Sequence, residues 1–297
     1  MLRMARVDAS SPRMSSSLFI IIFFALAIVK PLAYKLCALK LDHRAAPIFI
    51  STYVLLGVAL TMPWFHDLFI EGMEQLISMP LILGLCLLKG VIFWYASYGG
   101  QQLTQHSLSS ARYTLPPALA IAAIINVFFG EILTLVEWVA VIGLALSGIA
   151  FFLKGHLQDL DHPTKILFVK LVGALVCLIV LDHITISHIN WYVLLFTSNV
   201  AVFVVCLLYR KPLAVWKSAI FSKLGMLGGL LMVTYEFVKF YPMVMLVPVT
   251  VMSTVQAAAT PIVLVLTAMI WGERTWKEQL IWGVLAIGFI LPLIVAD

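Results

Sequence analysis

Met252 to Val295 reads MSTVQAAATPIVLVLTAMIWGERTWKEQLIWGVLAIGFILPLIV. Two apolar runs, each near the ~20 residues a helix needs to cross hydrocarbon, flank the polar turn Trp271-Gly272-Glu273-Arg274-Thr275-Trp276. Gly272 stands where the first helix must stop, the place for a left-handed cap. Thr275 and Glu278 have the spacing of a capping box and can start the second helix. Gly283 and Gly288 put small residues along one side of it, where a neighbouring helix can approach closely.

The same hairpin stands earlier. From Arg112 to Leu153 the chain reads RYTLPPALAIAAIINVFFGEILTLVEWVAVIGLALSGIAFFL. Gly130-Glu131 matches Gly272-Glu273, Thr134 with Glu137 repeats the capping spacing, and Gly143 and Gly148 repeat the later glycines. The offsets are 142, 141 and 140 residues. A chain with one copy of this hairpin per ~140 residues reads as an internal repeat.

Composition sets the class. Of the 297 residues 63% are hydrophobic and 11% charged, with mean hydropathy +1.07. That is too much apolar surface for a soluble domain of this length to bury. The net charge of +5 comes from basic residues in short loops beside apolar runs, the pattern of membrane topology and not of nucleic-acid binding. Cys37, Cys86, Cys177 and Cys206 all lie in apolar stretches and read as buried thiols without disulfide or metal spacing.

Ten spans are expected, at 18–38, 46–64, 80–102, 108–129, 135–153, 163–183, 190–209, 224–244, 246–270 and 276–296, joined by short loops. Residues 1–17 read as a mobile polar tail, 18–155 as the first five-helix repeat and 156–297 as the second. Five is odd, so the second half must enter the membrane from the opposite face. The expected fold is an all-α integral membrane protein of ten transmembrane helices in two inverted repeats, an arrangement that transporters use for alternating access around a midplane site.

Two five-helix halves, each with Gly-Glu, a polar turn and a glycine-containing last helix, resemble the drug/metabolite transporter superfamily, and within it the ten-helix EamA-type permeases. The resemblance covers about 280 residues from Leu18 onward. It implies a multi-pass permease of a bacterial inner membrane and says little about substrate. One departure matters: where many members carry an arginine early in the second helix, this chain has Ser51-Thr52-Tyr53, and Arg44 lies in the preceding loop. The basic residues outside the tail and the spans lie at or near connections after odd-numbered spans, which places the termini outside. The resemblance implies termini in the cytosol.

A charge at the centre of a membrane helix costs at least ~2.5 kcal/mol, so each one needs a reason. Lys30 precedes Pro31 deep in span 1, and Lys89 lies mid-span 3. Each reads either as a substrate contact or as half of an ion pair. Lys170 can snorkel, and Asp182 with His183 reads as interfacial. Glu236 and Lys239, three apart in span 8, share a face and can neutralise each other. The alternative is that they line a cavity, with Glu236 taking up a proton or a cationic group. Polar segments precede the prolines of spans 4 and 9: Arg112, Tyr113 and Thr114 in one, Thr254, Gln256 and Thr260 in the other. Tyr95 and Tyr235 add rings that could stack on a solute. Residue by residue these are as readily packing groups. Glu131 and Glu273 read as structural, each beside the N-terminal dipole of the helix that follows it.

No Walker A loop, metal-ligand spacing or other enzyme signature is present, and no cofactor is expected. The leading expectation is a secondary-active transporter of a small polar organic metabolite, such as an amino acid, an organic anion or a nucleotide-like solute. Inside the spans four lysines face two acids, which favours a negative group. Protons or a counter-substrate could drive it. The rivals are export of apolar or cationic drugs, and a non-transporting subunit of a partner enzyme or lipid flippase.

Overall fold

The computed structural model describes residues 16–155, 160–209, 212–244 and 247–272, with positions 281, 284, 285, 288 and 289. Residues 1–15 of the tail, Glu273, Thr275, Glu278, Gly283 and most of the expected tenth span lie outside them, and the last two residues of the tail belong to the first helix. The regular elements among the described residues are all helices, with no strand. In chain order they form α1 (Ser16–Lys40), α2 (Ala45–Thr61), α3 (His66–Ser78), α4 (Pro80–His106), α5 (Leu108–Arg112), α6 (Leu115–Phe128), α7 (Leu135–Gly155), α8 (His162–Ile186), α9 (Trp191–Leu208), α10 (Leu213–Phe221), α11 (Lys223–Val244), α12 (Val249–Ala258) and α13 (Thr260–Trp271).

Six helices are long and apolar enough to cross a membrane, counting the broken pairs α5–α6 and α12–α13 as one each. Two more spans arise only if bent pairs count: α2 with α3 at 119°, and α10 with α11 at 64°. The described structure thus carries six to eight candidate spans, which suits a multi-pass integral membrane protein.

Local rules account for the punctuation. Gly130 (φ +89°) and Gly272 (φ +67°) both adopt the left-handed conformation that ends a helix, and the Gly272 amide donates to Ala268 O at 3.0 Å. Such a backbone strains any residue with a Cβ. The capping box at α7 is formed: the Thr134 amide donates to Glu137 Oε2 at 2.6 Å, and the Glu137 amide to Thr134 Oγ1 at 3.3 Å. Pro116 and Pro261 fall in the first turn of α6 and of α13, where a missing N–H is tolerated, so spans 4 and 9 are each broken in two.

Other expectations need correction. The connection between spans 2 and 3 is no short loop. It folds as α3, which turns Leu68, Phe69, Met73 and Leu76 to the core and leaves Asp67, Glu71 and Glu74 exposed. Phe69 packs edge-on against Phe196 of α9, and Asn190 Nδ2 donates to Leu68 O at 2.7 Å. Lys35 does not sit at a connection. It is buried in α1 and donates to Thr104 O at 3.0 Å. Cys177 is exposed on the outside of the bundle, while the other three thiols are buried. Gly143 does meet a neighbour, the Phe289 ring, but among the described residues nothing lies against Gly288.

α1 packs on α11, and α8 on α4; α2 packs on α11, and α9 on α4. Gly90 of α4 lies against the Ser198 carbonyl and Ala201 of α9, and Gly229 of α11 lies against Tyr53 of α2. A methyl group at either position would collide. α6 runs beside α12, and α5 meets α13. The broken helices therefore cross antiparallel at the middle of the bundle, and the cavities open beside them.

Candidate functional site

Two adjoining chambers, each about 190 Å³, lie among α1, α4, α8, α11 and the broken helices. Each is somewhat larger than the engineered ~150 Å³ cavity that holds benzene. Lys30, Phe93, Ser97, Met232 and Gln256 border both. The first chamber reaches Tyr34, Thr104, Arg112 and Thr114. The second reaches Lys89, Asp182, Asn199, Tyr235, Glu236 and Lys239.

Asp182 is the anchor of the second chamber. It is not interfacial: α8 continues to Ile186, α4 and α11 close over it, and it is 3% exposed. Lys89 Nζ of α4 lies 2.6 Å from Asp182 Oδ1, and Lys239 Nζ of α11 lies 2.7 Å from Oδ2. A carboxylate removed from water loses several kcal/mol of hydration. Lys239 replaces part of that hydration with a charge-assisted hydrogen bond to one oxygen, and Lys89 forms an ion pair with the other. The expected Glu236–Lys239 pair is therefore corrected: Lys239 turns to α8. Spacing along one helix fixes which side chains share a face, but not which acid on a neighbouring helix takes the cation.

Glu236 is left facing the chamber. It is 8% exposed, and among the described residues no donor reaches its carboxylate. Lys30 Nζ sits 3.1 Å from the centroid of the Tyr235 ring, an attraction between a cation and the negative face of a π-system. Among the described residues no acid lies within ion-pair distance of it. Arg112 Nη2 donates to Gln256 O and Thr260 Oγ1, each at 3.2 Å, and its Nε is buried with no partner among the described residues. The lining holds Lys30, Lys89, Arg112 and Lys239 against Asp182 and Glu236, a surplus of two positive charges.

Other expected site residues go elsewhere. Tyr95 and Tyr113 pack with Leu103, Phe168, Leu171 and Leu264 in a separate apolar cluster and line neither chamber. Thr254 is fully buried and donates to Thr250 O at 2.7 Å. Thr260 serves Arg112. Thr114 lines the first chamber but donates to Ala111 O at 2.6 Å. Gln256 borders both chambers. Asn199 was not singled out by the sequence, although one asparagine inside the apolar run of α9 is a visible signal. In the α1–α2 loop, Arg44 grips Asp42 at 2.8 Å and holds that carboxyl down at about 2.

Glu131 is structural in a different way from that expected. Its carboxylate serves α12 and not the following helix. Thr250 donates to it through both its amide, at 3.0 Å, and its hydroxyl, so it caps the N-terminus of α12. Asn126 Nδ2 donates to the Thr250 hydroxyl at 3.1 Å, and His183 Nδ1 lies 3.8 Å from Glu131. Arg112 holds the other end of α12, where the last carbonyls lack helical partners. Residues bracketing α6 thus grip both ends of α12.

Fold and site together define a multi-pass type of helical protein with a charged internal cavity. No known protein-family model matches the chain, and no curated protein does. Fifteen chains of solved structures match it. One, a crystal structure of a protein, aligns over 92% of this chain and 94% of its own length, with a TM-score of 0.57 at 12% identity. The shared fold therefore extends over nearly the whole of both chains, and at that identity the likeness speaks for fold alone.

Proposed function

We propose that this chain is a secondary-active transporter of a small organic solute bearing a negative group, working by alternating access at the two chambers. The carrying observation is that Lys30 and Arg112 line the cavity with no acid at ion-pair distance among the described residues, in a lining with two formal positive charges to spare. Unpaired cations away from bulk water are costly to keep, and an anionic solute compensates them.

The proposed architecture is two inverted five-helix repeats of the drug/metabolite transporter type, with residues 276–296 as the tenth span. Packing supports it. If α1 corresponds to α8, α2 to α9 and α4 to α11, then exchanging counterparts turns α1 on α11 into α8 on α4, and α2 on α11 into α9 on α4. All four contacts occur. Gly90 and Gly229 serve corresponding close approaches. α3 and α10 each precede the third span of a half, and the inverted topology puts them on opposite faces. α3 carries Asp67, Glu71 and Glu74, whereas α10 carries Lys217 and is followed by Lys223. The excess of basic charge then places the α10 side in the cytosol.

Glu236 favours a second reading, export of a cationic solute. Reconstituted exchange against a metabolite extract separates the two. On the anion reading, Lys30→Met lowers flux about tenfold or more with melting unchanged, because a tenfold loss reflects only ~1.4 kcal/mol of binding. Cation flux that survives Lys30→Met and fails in Glu236→Gln gives the second reading. No flux of any kind leaves a non-transporting subunit.

A further inference from the structure

We propose that Glu236 and Asn199 form a subsite for a primary ammonium group, so that the solute is an amine-bearing anion. This rests on the transport reading above and narrows it.

Asn199 lies on α9, is 1% exposed and borders the second chamber. Its Nδ2 donates to Leu195 O, one turn back, at 2.9 Å. A carbonyl only accepts, so the amide nitrogen must occupy that position and the orientation of the side chain is settled by chemistry. Oδ1 is left buried, with no donor among the described residues. Glu236 borders the same chamber from α11, and no described donor reaches it either. None of the nearby cations forms an ion pair with Glu236 among the described residues. Lys89 and Lys239 are held by Asp182, and Lys30 lies over the Tyr235 ring.

Two side chains with acceptors that no described donor reaches, one of them charged, thus border one small chamber. Buried acceptors are ordinarily satisfied, and exceptions call for an explanation. An ammonium group carries three donors and a positive charge. It can serve Glu236 and Asn199 together, with the solute's anionic end towards Lys30 and Arg112 at the junction of the chambers. A dicarboxylate or a phosphate would place negative oxygen against Glu236 and leave Asn199 Oδ1 unfilled.

The test loads proteoliposomes of the full chain with a cell metabolite extract, or with the same extract after its primary amines have been acetylated, and identifies exported solutes by mass spectrometry. Solutes leaving from the untreated extract should carry a primary amine, and acetylation should lower flux about tenfold or more, since a site built to bond a group rejects analogues lacking it. Asn199→Leu, which removes the acceptor, should raise KM about tenfold. Should Asn199→Leu fail to fold, Glu236→Gln decides: normal flux of amine-bearing solutes through it overturns the subsite. Undiminished flux of solutes without amines also overturns the subsite and leaves transport standing. No flux from either extract overturns the transport reading, and the subsite with it.

Discussion

Asp182 and Glu236 are two carboxylates facing one chamber, and they are treated in opposite ways. Asp182 has an ammonium on each oxygen; Glu236 has none. On the proposed reading, the difference separates a charge that holds helices together from a charge held ready for a solute. Asp182 ties α4, α8 and α11 to one another. Its partners are spent on it, which is why four cations in the lining leave only Lys30 and Arg112 for a solute.

The largest effect expected is at Asp182. Asp182→Asn strands two buried ammonium groups and should lower stability by ~3–5 kcal/mol in a denaturation experiment in detergent. Replacing Lys89, Asp182 and Lys239 together by apolar residues of similar size should cost far less, as removal of a complete ionic set does. Wild-type melting in Asp182→Asn would erase the contrast. Glu236→Gln sharpens it from the other side: melting should change little, because no bond is lost, while flux falls about tenfold, or ~1.4 kcal/mol. A stability loss matching that of Asp182→Asn would make Glu236 a second anchor.

Smaller effects calibrate these against ordinary local structure. Thr134→Ala removes the α7 cap and should cost ~1 kcal/mol of stability with KM unchanged. Asp42→Asn should cost ~0.2–1 kcal/mol, as partly exposed pairs do. The sign with pH follows from its depressed value, about 2 against ~3.9 unfolded. The contribution is present in full above pH ~4 and disappears as pH falls towards 2. Equal loss of stability in wild type and Asp42→Asn across that window would deny the pair a role.

What was legible in the sequence was local. A glycine after an apolar run and a threonine three residues before a glutamate carry their geometry with them, so Gly130, Gly272 and the Thr134–Glu137 box stand where expected. The breaks in spans 4 and 9 follow from proline. α3 was missed because a thirteen-residue helix bearing three acids resembles a loop until α9 is there to cover its apolar side. Spacing offers Lys239 to Glu236 as one of two readings, because helical periodicity knows nothing of α8. Asp182 was read as interfacial because four residues from the end of a helix is close to water only when no neighbour overlies it.

The double grip on α12 has a mechanical consequence. This ten-residue helix, about 15 Å long, is fastened at its start by Glu131 and near its end by Arg112, from opposite ends of α6. To slide α12 alone would break an acid from two donors at one end and a guanidinium from the Gln256 carbonyl at the other. A shift of α6 therefore drags α12 along as one stiff crosspiece. Any motion that opens the chambers hinges around this pair and does not pass through it.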